Sequence, residues 1–170
     1  MAELTETINQ AVKAINNPES KYLTFSLGGE EYGIGILKIK EIIGMMPITP
    51  VPRTPAFVKG VINLRGKVIP VMNLRLKFVM EEIPYTERTC IIVVETEGVR
   101  GTLLIGIVVD SVSEVLNIKN GDIEETPVLG TDLDTDYILG IAKINGGVKI
   151  LLDIDRVLNA KEAPITNKAA

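Results

Sequence analysis

Two blocks of residues recur in the same order along this chain, and the recurrence limits what it can fold into. Gly33-Ile34-Gly35-Ile36-Leu37-Lys38-Ile39-Lys40-Glu41-Ile42-Ile43 aligns without a gap on Gly106-Ile107-Val108-Val109-Asp110-Ser111-Val112-Ser113-Glu114-Val115-Leu116. A second block, Gly60 to Leu74, aligns on Gly140 to Ile154. Paired blocks in one order predict a duplicated subdomain. The copies differ at two places of interest: Arg65 stands against Asn145, and Pro70 against Ile150. A charge kept at a turn in one copy only is a candidate for function.

The repeat units must be built from aliphatic side chains. Aromatics are 4% of the 170 residues and Trp is absent, so Val, Ile and Leu fill the core. Branched residues of that kind favour strands, where they pack on a pleated surface. The formal charge of −4 argues against nucleic acid, which selects a basic face. His is absent, which removes the commonest general base and metal ligand. The single Cys90 has no internal disulfide partner, which fits a reducing cytoplasm, and its apolar neighbours predict a buried side chain. The N-terminus does not have the basic-then-apolar order of a signal peptide, and no apolar run reaches the ~20 residues that span a bilayer. A soluble, intracellular protein is expected.

Along the chain, Leu4, Ile8, Ala11, Val12 and Ile15 have helical spacing, ended by Asn17-Pro18. Residues 1–20 are therefore a docked helix or a loose tail. Strands are expected over Tyr22–Leu27 and Tyr32–Ile36, with Leu37–Ile43 either strand or helical turn. A proline-punctuated connection follows (Pro47, Pro50, Pro52, Pro55), then a hairpin around Arg65-Gly66. Arg75–Tyr85 reads as a loop. Two more hairpins turn around Gly98 and Gly101 and around Asn145-Gly146-Gly147, and Asp153 is placed to cap a short helix reaching Ala160. Short strands with glycine turns predict small closed barrels, and the repeat predicts two. The expected fold is all-β: two small closed barrels packed around a shared apolar seam, with short terminal helices. The expected limits are 36–85 and 86–140, with C-terminal strands crossing back to the first barrel and a frayed tail over 161–170.

Catalytic patterns are scarce. Without His there is no Ser-His or Cys-His pairing. Gly33-x-Gly35 lacks the third glycine of a dinucleotide fingerprint and opens no long helix. Asp132, Asp134 and Asp136 alternate as calcium-loop ligands do, but no EF-hand glycine or terminal Glu follows. A solvated turn is the simpler reading; a small ligand- or metal-dependent enzyme using those aspartates is the alternative. No metal, cofactor or catalytic residue is otherwise expected. What remains is surface. Arg65 at its hairpin tip suits two-bond capture of a carboxylate or carbonyl. Ile39, Ile42, Ile43, Met45 and Met46 form an apolar run that serves equally as core or as adaptable contact surface.

Several stretches resemble the CheW family of chemotaxis coupling proteins. They are Glu30-Glu31-Tyr32-Gly33-Ile34 with Ile36–Ile42, Thr54-Pro55-Ala56-Phe57-Val58-Lys59-Gly60-Val61-Ile62-Asn63-Leu64-Arg65-Gly66 with Val68–Arg75, Gly106–Val112, and Tyr137–Gly140. The resemblance covers about Lys21 to Asn159, a single family domain is expected over 21–160, and the resemblance implies that its two barrels are SH3-like and five-stranded. The length fits a stand-alone member better than a kinase or a CheV-type protein with its receiver domain. The resemblance implies a non-catalytic adaptor linking the cytoplasmic tips of methyl-accepting chemotaxis receptors to the regulatory domain of the histidine kinase CheA, cytoplasmic and recruited to membrane arrays through its partners. It implies receptor binding at Ile39, Gly60, Arg65, Cys90 and Val115, in a groove between the barrels. It implies kinase binding at Glu41 and Ile42 on the first barrel, and at Glu124, Val128 and Leu129 on the second. Some relatives carry a basic residue where this chain has Glu124. Glu41→Lys and Ile42→Ala are expected to weaken kinase binding with the fold intact.

Overall fold

The computed structural model describes residues 2–13, 20–98, 101–125 and 137–159. Its first element is helix α1 (Ala2–Lys13), followed by the hairpin β1 (Lys21–Leu27) and β2 (Glu30–Gly35). The ambiguous stretch after it is both things in turn: a 3-10 turn at Ile36–Lys38, then strand β3 (Ile39–Gly44). The next hairpin is β4 (Val58–Leu64) and β5 (Lys67–Asn73), ending in the one-turn helix α2 (Leu74–Lys77). The second half repeats this order with β6 (Cys90–Gly98), β7 (Gly101–Val109), β8 (Ser111–Asn117), a 3-10 turn at Asn120–Asp122 and β9 (Ile123–Glu124). It ends with β10 (Ile138–Ile144), β11 (Gly147–Leu152) and α3 (Ile154–Asn159).

The strands form two sheets, ordered β3-β6-β7-β5-β4 and β8-β1-β2-β11-β10-β9. The five-stranded sheet closes on itself just past β3. There the Thr49 N–H donates to the Val61 carbonyl and the Val61 N–H to that of Thr49, both at 2.9 Å. The six-stranded sheet closes the same way, because β9 continues β8 beyond the 3-10 turn and pairs with β10. Twin glycines permit both closures. A Cβ on Gly60 would lie 2.0 Å from the Thr49 oxygen, and one on Gly140 would lie 2.8 Å from the Glu124 oxygen. Both glycines sit at an irregularity in their hairpin.

The expected boundary is corrected by the pairing. Strands β6 and β7, read as the start of the second barrel, pair with β3 and β5 of the first. Strands β1 and β2, at the front of the chain, pair with β8 and β11 of the second. The crossing strands are therefore the leading hairpin of each repeat, not the C-terminal strands. The exchange is reciprocal and in register: Val71 pairs with Gly106 across β5 and β7, and Leu151 pairs with Gly33 across β11 and β2. These are equivalent positions in the sequence repeat. Both glycines sit in tight places, since an added Cβ would lie 2.8 Å from the Ile91 side chain at Gly106 and 2.9 Å from that of Leu151 at Gly33.

Three apolar clusters follow from this arrangement. Ile62, Ile69, Val71, Ile91, Val93 and Val108 fill the first barrel, and Ile118, Ala142 and Leu151 the second. The largest cluster is the seam between them, drawing Leu23, Phe25 and Leu27 from β1, Ile92 and Val94 from β6, and Val112 from β8. Strand β6 turns Ile91 and Val93 into the barrel and Cys90, Ile92 and Val94 into the seam. Burial on both faces is why its sequence is an unbroken apolar run rather than an alternating one.

Candidate functional site

The turn that carries Arg65 is dictated locally. Arg65 and Gly66 both have positive φ, 51° and 87°, as two-residue hairpin turns of the mirror type require. The Gly66 N–H donates to Asn63 Oδ1 at 2.8 Å, which fixes the loop. Asn145 and Gly146 repeat the geometry at 51° and 80°. Asn tolerates this left-handed conformation better than Arg does, so the turn itself does not ask for the arginine. Its side chain is 69% exposed and pairs through Nη2 with Glu41 Oε1 on β3. The two residues border a depression of about 580 Å³ that Lys40, Leu64, Lys67 and Leu104 also line.

This contact joins two expectations drawn from separate sites. Arg65 was placed with the receptor and Glu41 with the kinase, yet their side chains touch on one face of one barrel. Arg65 does not brace the two barrels across the seam, since its partner belongs to the same sheet.

The other expected site residues divide by burial. Ile39 and Ile42 are 7% and 2% exposed and belong to the seam core. Cys90 is wholly buried there, and burial pushes its thiol up to about 12. None of the three offers side-chain surface to a partner as placed. The expectation that Ile42→Ala leaves the fold untouched is corrected for the same reason, because truncating a buried aliphatic costs about 2–5 kcal/mol. Gly60 is buried under the closing contact with Thr49. Val115 on β8 is half-buried beside the seam. Glu124 lies on the second barrel and pairs with Lys143 at 2.6 Å, with both side chains exposed. Val128, Leu129, Asp132, Asp134 and Asp136 lie outside the described residues.

The apolar run after β3 splits accordingly. Ile39 and Ile42 go inward, while Met45 and Met46 are half-buried and line an open groove of about 1010 Å³ with Ile48, Pro50, Val58 and Tyr85. A Lys59–Glu82 pair at 2.6 Å lies along this groove.

Sequence reasoning missed one cluster at the crossover. Arg75 on α2 donates through Nε and Nη2 to both oxygens of Asp110, at 2.8 and 2.7 Å. Asp110 also accepts the Gly28 N–H at 2.9 Å. Burial alone would push the Asp110 carboxyl up, but the Arg75 hydrogen bonds, the Gly28 N–H and the Arg75 charge together hold it below the usual range. The cluster ties the end of β7, in one barrel, to the β1–β2 turn of the other. Its signal lay in the repeat: Asn73 aligns on Asp153, the expected cap of α3. Asn73 caps α2 by accepting the Leu76 N–H at 3.1 Å.

Among the described residues, no group of three His, Cys, Asp or Glu side chains is arranged to hold a metal ion. No helix among them is long and apolar enough to cross a membrane. An exposed ion pair and a row of methionines beside open depressions on closed β-barrels are the surface features of a protein-binding module.

Comparison with known proteins narrows that class. The family model for the CheW-like domain matches residues 21–162. The chain is 39% identical over 150 residues to the chemotaxis protein CheW of Klebsiella aerogenes, covering 88% of each. It is 32% identical to CheW of Rhizobium meliloti, covering 91% of this chain and 97% of that one. It also superposes on the crystal structure of the scaffolding protein TtCheW from Thermoanaerobacter tengcongensis with a TM-score of 0.74 at 35% identity. That match covers 84% of this chain and 94% of the other. The chain belongs to the CheW-like domain family.

Proposed function

We propose that this protein is a non-catalytic adaptor of chemotaxis signalling that couples the cytoplasmic tips of methyl-accepting receptors to the regulatory domain of the histidine kinase CheA. Membership of a family whose solved relative is a scaffolding protein supports the adaptor role. The observation that carries the finer reading is the Arg65–Glu41 pair. A charge that the turn does not require, held in the open beside a depression, is placed to exchange its intramolecular carboxylate for a partner's. Arginine suits that exchange because its planar fork makes two parallel bonds to a carboxylate.

In this reading Glu41 and Arg65 touch partners, while Ile39, Ile42, Gly60 and Cys90 act from beneath by fixing the strands that present them. Val115, Glu124, Val128 and Leu129 are further contacts on the second half. The protein works in the cytoplasm and reaches receptor arrays through its partners. The test is a pull-down with a receptor cytoplasmic fragment and, separately, the kinase regulatory domain. Both are expected to be retained by the wild type, with Glu41→Lys reducing the second. Retention of neither would end the adaptor reading.

A further inference from the structure

Helix α1 lies outside the residues that match the family domain, which begin at 21. It nevertheless docks on the domain at a particular place. It packs against β3 and β8, the first strand in the order of each sheet and equivalent members of the sequence repeat. Among the described residues each has a strand neighbour on one side only. Ile8 is 5% exposed and enters the seam cluster, and Thr5 is buried one turn earlier.

Asn9 makes the contact unusual. Its Nδ2 donates to the Ile42 carbonyl at 3.0 Å, and its Oδ1 accepts the Ile42 N–H at 2.9 Å. A side-chain amide thus stands in for a neighbouring strand, satisfying both backbone groups of one residue on the edge that β6 does not use. An edge left open in this way is a template for pairing with another chain. Among the described side chains, Asn9 and Ile8 cover it with an amide and an aliphatic group, from a 12-residue helix too short to be stable by itself in water. Next to Ile42 on the same strand is Glu41, the half-buried partner of Arg65.

We infer that α1 is a removable cover on the β3 edge, which leaves when the kinase regulatory domain docks along β3. This rests on the adaptor reading for the identity of the partner, but the cover itself rests on the Asn9 and Ile8 contacts. Addition of a strand or an amide to an exposed sheet edge is an established mode of recognition, and Ile42 presents both groups it needs. The helix and the partner compete for the same N–H and carbonyl, so loosening the helix favours the partner.

The test uses the full chain, wild type and Asn9→Ala, with amide hydrogen exchange and binding of the kinase regulatory domain measured on both. The variant is expected to exchange the Ile42 amide at least tenfold faster, to melt close to wild type, and to bind the regulatory domain threefold or more tightly. In the wild-type complex the α1 amides should lose protection while Ile42 keeps it. Ile8→Ala, which weakens the helix and leaves Asn9 to bond Ile42, should shift binding in the same direction. Weaker binding by Asn9→Ala, or an α1 that stays protected in the complex, would overturn the inference and make the helix a fixed edge cap. An unchanged Ile42 exchange rate in Asn9→Ala would overturn it too. If neither chain binds the regulatory domain while Ile42 exchange still rises, the adaptor reading falls and the removable cover stands.

Discussion

A substitution at Gly60 and one at Arg65 should behave in opposite ways, although the family resemblance places both with the receptor. Gly60 has φ of +141° and no room for a Cβ beneath the closing contact at Thr49. Gly60→Ala should cost several kcal/mol, about 2 or more from strain and steric clash together. All binding should fall with the folded fraction, which a denaturant melt run beside a pull-down would show. Arg65 is exposed, and an exposed ion pair contributes about 0–1 kcal/mol. Arg65→Ala should leave the melting temperature nearly unchanged while receptor affinity drops, with Arg65→Lys restoring it in part. A large melting-temperature loss in Arg65→Ala would mean the pair is structural. The turn at Arg65 was legible because two-residue hairpin turns have strict backbone demands. The pairing with Glu41 was not, because 24 residues separate the two and only β-register brings them together.

Short elements were the least legible. Arg75–Tyr85 has no hydrophobic period to distinguish a single helical turn from a loop, so α2 and the Arg75–Asp110 contact stayed hidden. That contact is well sheltered, with side-chain exposures of 13% and 22%. Removing the charge by Asp110→Asn should cost about 1.5–3 kcal/mol, the range for hydrogen bonds to charged groups. Because the folded carboxyl titrates below its unfolded value, its stabilisation is present above about pH 4 and is lost as pH falls through the folded value. Wild type and Asp110→Asn should therefore differ most near neutral pH and converge in acid. Chemical denaturation from pH 7 down to pH 3 checks this, and a gap that persists in acid would refute the assignment. Glu31 and Asp155 are also held low, so wild type keeps some acid sensitivity without Asp110. A row of rings reinforces the same junction. Phe25, Tyr32, Phe78 and Tyr137 stand 5.9, 6.0 and 6.1 Å apart in succession. Phe78 reaches it from the position just after α2.

At the scale of the whole molecule, the repeat revealed two similar barrels but not which strands each one owns. Hydrophobic pattern reports that a strand is buried; it does not report its neighbour. β1 and β6 are apolar on faces that any barrel would accept, and the close approaches that mark the exchange lie on their hairpin partners, at Gly33 of β2 and Gly106 of β7. The seam was legible for a related reason, since continuous runs such as Cys90–Val94 need cover on both faces. The exchange predicts the behaviour of a divided chain. Residues 1–85 and 86–170 should each be largely unfolded alone, because each barrel would lack two strands. Mixed or co-expressed, they should reassemble into one particle with the far-UV circular dichroism of the intact chain. Independent folding of either piece would contradict the reciprocal exchange.

The crossing hairpins also set a timetable for synthesis. β1 and β2 are made first but complete their barrel only when β11 has left the ribosome, 152 − 35 = 117 residues later. At about 5–20 residues per second, that wait is on the order of ten seconds. Throughout it Leu23, Phe25 and Leu27 lack the part of the seam that Leu152, Ile154 and Val157 supply. The first barrel closes earlier, once β7 emerges at Val109. The nascent chain therefore carries a finished lobe and an orphaned apolar hairpin side by side, a state that calls for chaperone cover and makes translation speed a determinant of yield.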